Sequence, residues 1–146
     1  MIKKIILFIT ISVMSCVIAQ ADVNKVAIVD VQKVVNKSSQ VQALRREQEN
    51  KRKELAQFIK KAGVDIKKQP NESSKKAVAQ KYDKELKAKQ EANAKAYKAK
   101  LETIDKNINA TIIKQANDMG YDLVLTKGVV LYGGDDITEA ILKVVK

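Results

Sequence analysis

The longest helix-forming stretch of the sequence is 73–119, which reads SSKKAVAQKYDKELKAKQEANAKAYKAKLETIDKNINATIIKQANDM. This stretch contains neither glycine nor proline, and it is rich in alanine and lysine, which are strong helix formers. A single helix of this length, rising ~1.5 Å per residue, extends ~70 Å. That exceeds the size of a compact domain built from the whole chain, so we expect part of the helix to project from the rest of the protein.

The segment before this helix predicts an antiparallel partner helix. Apolar residues recur with the seven-residue spacing of a helix seam, which Gln48 and Lys51 interrupt. The seam positions are Val34, Val41, Gln48, Leu55 and Ala62, with Leu44 and Phe58 on the matching offset. Gly63 and residues 69–73, which include the only proline, are expected to interrupt the helix and turn the chain back. Asn71 or Ser73 can cap the second arm.

Short β-branched runs flank the hairpin on both sides. Residues 26–31 predict a buried strand, 121–126 a second strand and 129–132 a third. Gly120 is placed to end the long helix as a C-cap glycine. A last amphipathic helix is expected to open at 136–139. Both ends of the chain therefore belong to one small base, from which the hairpin leaves and to which it returns.

The resulting fold class is α+β, with a strand, a long antiparallel helical hairpin, two strands and a C-terminal helix. We expect a β-containing oligomerisation base formed by 22–44 plus 101–146, and a projecting basic hairpin over 45–100. The base should oligomerise, because long helices with few aromatic residues cannot bury their apolar stripes alone. The candidate oligomerisation residues are Val26, Ile28, Val29, Leu123, Val124, Leu125 and Val130.

Composition argues against an enzyme. The chain has no histidine and one cysteine, so it lacks the usual general base of hydrolases and the ligands of a zinc cluster. It contains no glycine-rich phosphate loop and no paired acid and base. We therefore predict no catalytic, cofactor-binding or metal-binding residues.

Positive charge is concentrated in the hairpin. Residues 45–100 hold 18 Lys and Arg against 8 Asp and Glu, whereas the base is nearly neutral. Solvation of projecting helices explains part of this bias, but either sign of charge would solvate them, so a net +10 favours an anionic or acid-rich partner. The candidate client-binding residues on the arms are Lys51, Leu55, Phe58, Ile59, Lys81, Tyr82, Lys84, Leu86, Lys87 and Lys95.

Three kinds of anionic partner can be compared. Nucleic acid is disfavoured, because the arms offer only Phe58, Tyr82 and Tyr97 for stacking and contain no nucleic-acid-binding module. Anionic lipid or lipopolysaccharide fits the charge. Acidic, partly unfolded polypeptide fits the charge and also the scattered apolar residues.

The N-terminus predicts export to the periplasm. Two lysines in 1–4, an apolar run over 5–18 and Ala-Gln-Ala at 19–21 form the pattern of a cleaved signal peptide, expected to span 1–21. The apolar run is too short for a membrane-spanning anchor. A rival cut would leave a lipidated Cys16, since 13–16 loosely resembles a lipoprotein box.

The order of these elements resembles the periplasmic seventeen-kilodalton-protein, or OmpH-like, family of trimeric holdase chaperones. The strings that carry the resemblance are KVAIVD at 25–30, MGYDLVL at 119–125 and DITEAIL at 136–142. The resemblance implies a homotrimer with a small central barrel, whose three hairpins surround a cavity for unfolded outer-membrane proteins. It implies an ATP-independent holdase that prevents their aggregation. The alternative is a structural coiled-coil spacer or a lipidated envelope tether, which a complete heptad seam would favour.

Overall fold

The computed structural model describes residues 25–145. The predicted signal peptide and Cys16 lie outside the described residues. The elements are β1 (Val26–Val29), α1 (Val31–Lys37), α2 (Ser39–Lys67), α3 (Glu72–Asp118), β2 (Leu123–Thr126), a short 3₁₀ helix (Lys127–Val129), β3 (Asp135–Asp136) and α4 (Thr138–Val144). The predicted α+β class is confirmed: a small parallel sheet carries a long helical hairpin and a C-terminal helix.

The sheet has three strands in the order β2-β1-β3, and both outer strands run parallel to β1. Successive side chains of a strand point to opposite faces. Ala27 and Val29 therefore share one face, where α3 and α4 cover them together with Val124. The buried core of this base consists of Ala27, Val29, Val34, Ile108, Ile112, Ala116, Ile137 and Ile141.

No helix among residues 25–145 forms such a layer on the opposite face of the sheet. This face carries Val26 and Ile28 on β1, paired in register with Leu123 and Leu125 on β2. Ile28 is buried, whereas Leu123 is 46% exposed and Leu125 is only partly buried. A parallel sheet is normally covered on both faces. In this single chain the second apolar face is only partly buried.

The third strand was predicted in the wrong place. Residues 129–132 form no strand: the chain makes a 3₁₀ helix over Lys127–Val129, and the third strand is Asp135–Asp136 instead. The reason is pairing, because Ala27 and Ile28 pair with β3 and leave no position beside β1 for the earlier run. Consequently Leu131 is fully exposed despite its high β propensity.

The first arm is divided at Ser38, although its apolar spacing predicted one helix. α1 ends at Lys37, and Ser38 adopts an extended conformation (φ −60°, ψ 128°) before α2 begins. Asp30 caps α1, since its carboxylate accepts a hydrogen bond of 2.9 Å from the amide of Lys33. The main-chain amide of Asp30 donates to Thr138 Oγ1 at 2.9 Å, which ties this end of α1 to α4.

The expectation that Gly63 breaks the first arm was wrong. α2 continues through Gly63 to Lys67. A glycine inside a helix costs only about 1 kcal/mol relative to alanine. Packing outweighs that cost, because the preceding Ala62 is buried.

The second arm is one helix, as predicted. Its 47 residues begin after Asn71, whose side chain accepts a hydrogen bond of 2.9 Å from the amide of Ser74. They end before Met119 and Gly120, and Gly120 has the positive φ (78°) of a C-cap glycine. Ile108, Ile112 and Ala116 lie in the core of the base, so one helix belongs to both the base and the arm.

Candidate functional site

Polar pairs fix the register of the two arms. Gln48 and Asn93 exchange amide hydrogen bonds of 3.5 and 3.1 Å across the hairpin. Nearer the base, Lys100 Nζ lies 2.6 Å from Glu47 Oε1. The seam position that Gln48 was expected to weaken is therefore occupied by a satisfied pair. A half-buried polar pair at a seam position specifies register more than it adds stability.

A groove opens between the arms and extends from the region of the amide pair towards the tip, with Asn93 of that pair in its lining. Its volume is about 570 Å³, within the range of ligand-binding clefts. Half-buried Leu55 and Phe58 of α2 line it together with exposed Ala92 and Ala96 of α3, whose short side chains occupy little of the space. Charged residues form the rim: Glu47, Lys51, Glu54, Lys61 and Lys89.

An aromatic cluster lies at the tip end of the groove. The rings of Phe58 and Tyr82 meet edge to face, with centroids 5.3 Å apart. The Tyr82 hydroxyl donates a hydrogen bond to the carboxylate of Asp65, and this bond, followed by burial, raises the pKa of Tyr82. Lys89 Nζ lies 5.3 Å from the centre of the Phe58 ring, a cation–π contact that holds an ammonium group at the groove mouth.

Much of the arm charge is not neutralised within the hairpin. Lys51 pairs with Glu54 at 2.8 Å, and Lys81 reaches Glu85 only at 4.0 Å. Within residues 25–145, Lys84, Lys87 and Lys95 form no ion pair and are exposed. The arms therefore present a positive field to any partner that lies alongside them.

The groove contains only part of the client-binding set predicted from the sequence. Lys51, Leu55 and Phe58 line it, and Tyr82 contacts Phe58 at its end. The remaining predicted residues lie elsewhere on the arms: Ile59, Lys81, Lys84, Leu86, Lys87 and Lys95. The groove also has lining residues that were not predicted: Lys89, Ala92, Asn93 and Ala96 on α3, and Glu47, Glu54, Gln57 and Lys61 on α2. The residues on α3 are spaced three or four apart, which places them on one face of the helix, and this spacing could have indicated the groove from the sequence.

The predicted oligomerisation residues divide between the two faces of the sheet. Val29 and Val124 pack into the core under the helices. Val26, Ile28, Leu123 and Leu125 lie on the face without a helical layer, and Val130 is half-buried in the following turn. Several large apolar residues near this face or on the adjoining turns are exposed: Met119, Val129, Leu131 and Tyr132.

The described part of the chain has neither a metal-binding cluster nor a membrane-spanning helix. Residues 25–145 bring together no group of three or more acidic, histidine or cysteine side chains that could hold a metal ion. None of their helices combines the length and hydrophobicity needed to cross a bilayer.

The fold and its hairpin define an α+β protein with a small parallel-sheet base and a long basic arm. A family model described as "Outer membrane protein (OmpH-like)" matches residues 25–145. The chain therefore belongs to the OmpH-like family, as its resemblance indicated. No curated protein matches the chain significantly. Family membership implies a non-enzymatic periplasmic chaperone of outer-membrane proteins.

Proposed function

We propose that this protein is an ATP-independent periplasmic holdase that binds unfolded outer-membrane proteins along its arms and prevents their aggregation. The observation that carries this proposal is the hairpin itself, which has a net charge of +10 over 45–100 and an apolar groove between its helices. A partner with exposed apolar side chains and carboxylates would find complementary groups there. Many weak contacts of this kind would hold a client tightly while allowing release.

Release needs no energy-coupled cycle in this scheme. A β-barrel precursor that inserts into a membrane turns its apolar side chains towards lipid. The surface that the arms had covered is then no longer available, and the client leaves.

We further propose that the functional unit is a homotrimer assembled through the base. The incompletely covered sheet face, with Leu123 and Leu125, supports an apolar subunit contact. Exposed Leu131 and Tyr132 would add to it, because monomeric proteins rarely leave such residues uncovered together. Three such bases would bring three basic arms around a shared space.

The test of client binding changes Lys81, Lys84, Lys87 and Lys95 together to glutamine. Exposed charge contacts contribute up to about 1 kcal/mol each, so the four together should weaken capture of an acidic unfolded outer-membrane protein about tenfold or more. Salt should matter less for this variant than for the parent. Aggregation measured by light scattering over a range of salt concentrations reports both effects.

A matched control removes the same charge from elsewhere. The exposed lysines Lys37, Lys106, Lys114 and Lys143 lie outside 45–100, and their joint change to glutamine lowers net charge equally. This control should protect the client as the parent does. If both quadruple variants protect as well as the parent at every salt concentration, the arm lysines serve solubility and the proposal fails.

A rigid spacer is the second candidate, and the uninterrupted α2 and α3 favour it. Amide hydrogen exchange separates the two. A holdase arm has few buried contacts and should exchange quickly over 47–95 and slowly in the strands and over 104–113, with unfolded client slowing only the arms. Slow exchange along both arms without client would support the spacer.

A further inference from the structure

We infer that the groove between the arms is a discrete binding site for an extended segment of unfolded polypeptide in which an aromatic or large aliphatic side chain stands next to a carboxylate. This inference rests on the proposed holdase function and names what one arm recognises. It differs from diffuse binding along a charged surface, because it assigns one bounded site to each hairpin.

The groove occupies a limited stretch of the two arms. Its lining extends from Glu47 to Lys61 on α2 and from Lys89 to Ala96 on α3. The Gln48–Asn93 amide pair joins the arms in its base half, and the Phe58–Tyr82 contact joins them towards the tip. The helical rise from Glu47 to Lys61 is ~21 Å. An extended polypeptide advances ~3.3 Å per residue, so about six residues fit along the groove.

The floor of the groove suits an apolar side chain. Leu55 and Phe58 supply large apolar surfaces, and Ala92 and Ala96 provide the opposite wall without filling the gap. A client side chain in this space would bury its own surface and the exposed parts of the floor. The favourable free energy of burial grows with the apolar area removed from water, which makes a large side chain the favoured occupant.

The rim selects the charge of the neighbouring client residue. Lys89 is held over the Phe58 ring, so its ammonium group stands directly beside the apolar floor. Lys61 lines the same groove and makes no ion pair among residues 25–145. A carboxylate adjacent to the bound side chain can therefore reach one or both cations.

The same rim favours polypeptide over a lipid headgroup. Glu47 and Glu54 also line the groove, so the rim is mixed rather than uniformly positive. A phosphate-rich headgroup would meet these carboxylates unfavourably. A polypeptide carries amide N–H groups as well as carboxylates, and it can meet both signs of charge.

The test fills the groove while leaving the charge unchanged. Ala92→Leu combined with Ala96→Leu places two larger side chains in the space between the arms, and leucine is a strong helix former. The matched control is Ala88→Leu with Ala94→Leu, since both alanines are exposed on α3 and neither lines the groove. Circular dichroism of both variants checks that the helices are retained.

The probe is a fluorescein-labelled, unstructured octapeptide with two phenylalanines flanked by aspartates, and a second peptide has asparagine in place of aspartate. Fluorescence anisotropy should show saturable binding of the aspartate peptide to the parent, and binding at least fivefold weaker for the asparagine peptide. The groove-filled variant should bind the aspartate peptide at least tenfold more weakly than the parent, and the control variant within twofold of it. Lys89→Gln should reduce the preference for aspartate.

Three results would overturn this inference. The first is that the two double-leucine variants bind alike. The second is that neither peptide saturates the parent. The third is that phosphatidylglycerol vesicles, but not the peptides, bind in a manner sensitive to groove filling, which would make the groove an anionic lipid site. Suppression of aggregation of an unfolded outer-membrane protein is measured in parallel: failure of the parent there refutes the holdase proposal, whereas a protective parent with equal double variants refutes only the groove.

Discussion

Gly134 directly precedes the short third strand, and its lack of a Cβ lets the chain lie close against β1. Replacing it with alanine should therefore destabilise the base. A Cβ at this position would lie 2.9 Å from Cγ1 and Cδ1 of Ile28 and 3.2 Å from the carbonyl oxygen of Val26. The residue also has a φ of +83°, which side chains other than glycine rarely adopt. The substitution therefore combines backbone strain with crowding against β1.

Gly133 allows the two costs to be separated. Its φ is +85°, but a Cβ there would meet nothing within 4 Å. Gly133→Ala should cost only the strain of a left-handed conformation, about 1–2 kcal/mol. Gly134→Ala should cost a further amount of about 1–3 kcal/mol, because the Ile28 side chain must move within a packed site. A domain has a total stability of about 5–15 kcal/mol, so the strain and crowding of Gly134→Ala together remove a substantial fraction of it.

Urea unfolding at one fixed protein concentration, followed by far-ultraviolet circular dichroism, measures these costs. Fixing the concentration matters because subunit association would add to the apparent stability. We expect the unfolding midpoints to fall in the order parent, Gly133→Ala, Gly134→Ala. Equal midpoints for the two variants would show that the contact with Ile28 does not restrain β3, and the reasoning would fail.

Two further predictions concern the base. Leu123→Asp should remove the oligomer from native mass spectra yet keep the helical dichroism of a single chain, because Leu123 is on the incompletely covered face. Val124→Asp should lose the oligomer and the helical dichroism, because it buries a carboxylate. An intact oligomer in Leu123→Asp would exclude this face as the subunit contact. Lys127 and then Thr138 hold the pKa of Asp136 well below its usual value, so its stabilising effect is present above the unfolded-state pKa of ~3.9 and declines as the pH falls towards the folded-state pKa. Asp136→Asn should therefore lower the unfolding free energy by roughly 1 kcal/mol at neutral pH, a modest value because the Asp136 side chain is 42% exposed. The difference in unfolding free energy between variant and parent should narrow below pH 4. A difference that stays constant across this range would contradict the stabilising role of the Asp136 carboxylate.

The long elements could be predicted from the sequence because local signals agreed there. The second arm lacks glycine and proline from 73 to 119, and Asn71 and Gly120 cap its ends as expected. The first arm was harder, since its boundaries depend on tertiary contacts. Gly63 looks like a break locally, but packing keeps it helical. Ser38 is a residue type favoured at helix N-caps, and it separates two helices that the apolar spacing predicted as one.

The third strand and the groove depend on which segments meet in space. Residues 129–132 have stronger β propensity than Asp135–Asp136, yet β1 pairs with the latter. The groove arises from large residues on α2 lying opposite Ala92 and Ala96, which are distant in sequence. Neither juxtaposition can be obtained from one segment alone.

Because α3 is one continuous helix anchored in the base, a change in its tilt there moves its distal end. Ala116 is fixed in the core, and the helix begins at Glu72, ~66 Å away along its axis. A rotation of the helix axis by about 5° around Ala116 would displace the distal end by roughly 6 Å over this length. Small adjustments in the packing of Ile108 and Ile112 would thus be amplified at the tip, so the width of any space enclosed by several arms would be set by side chains far from it.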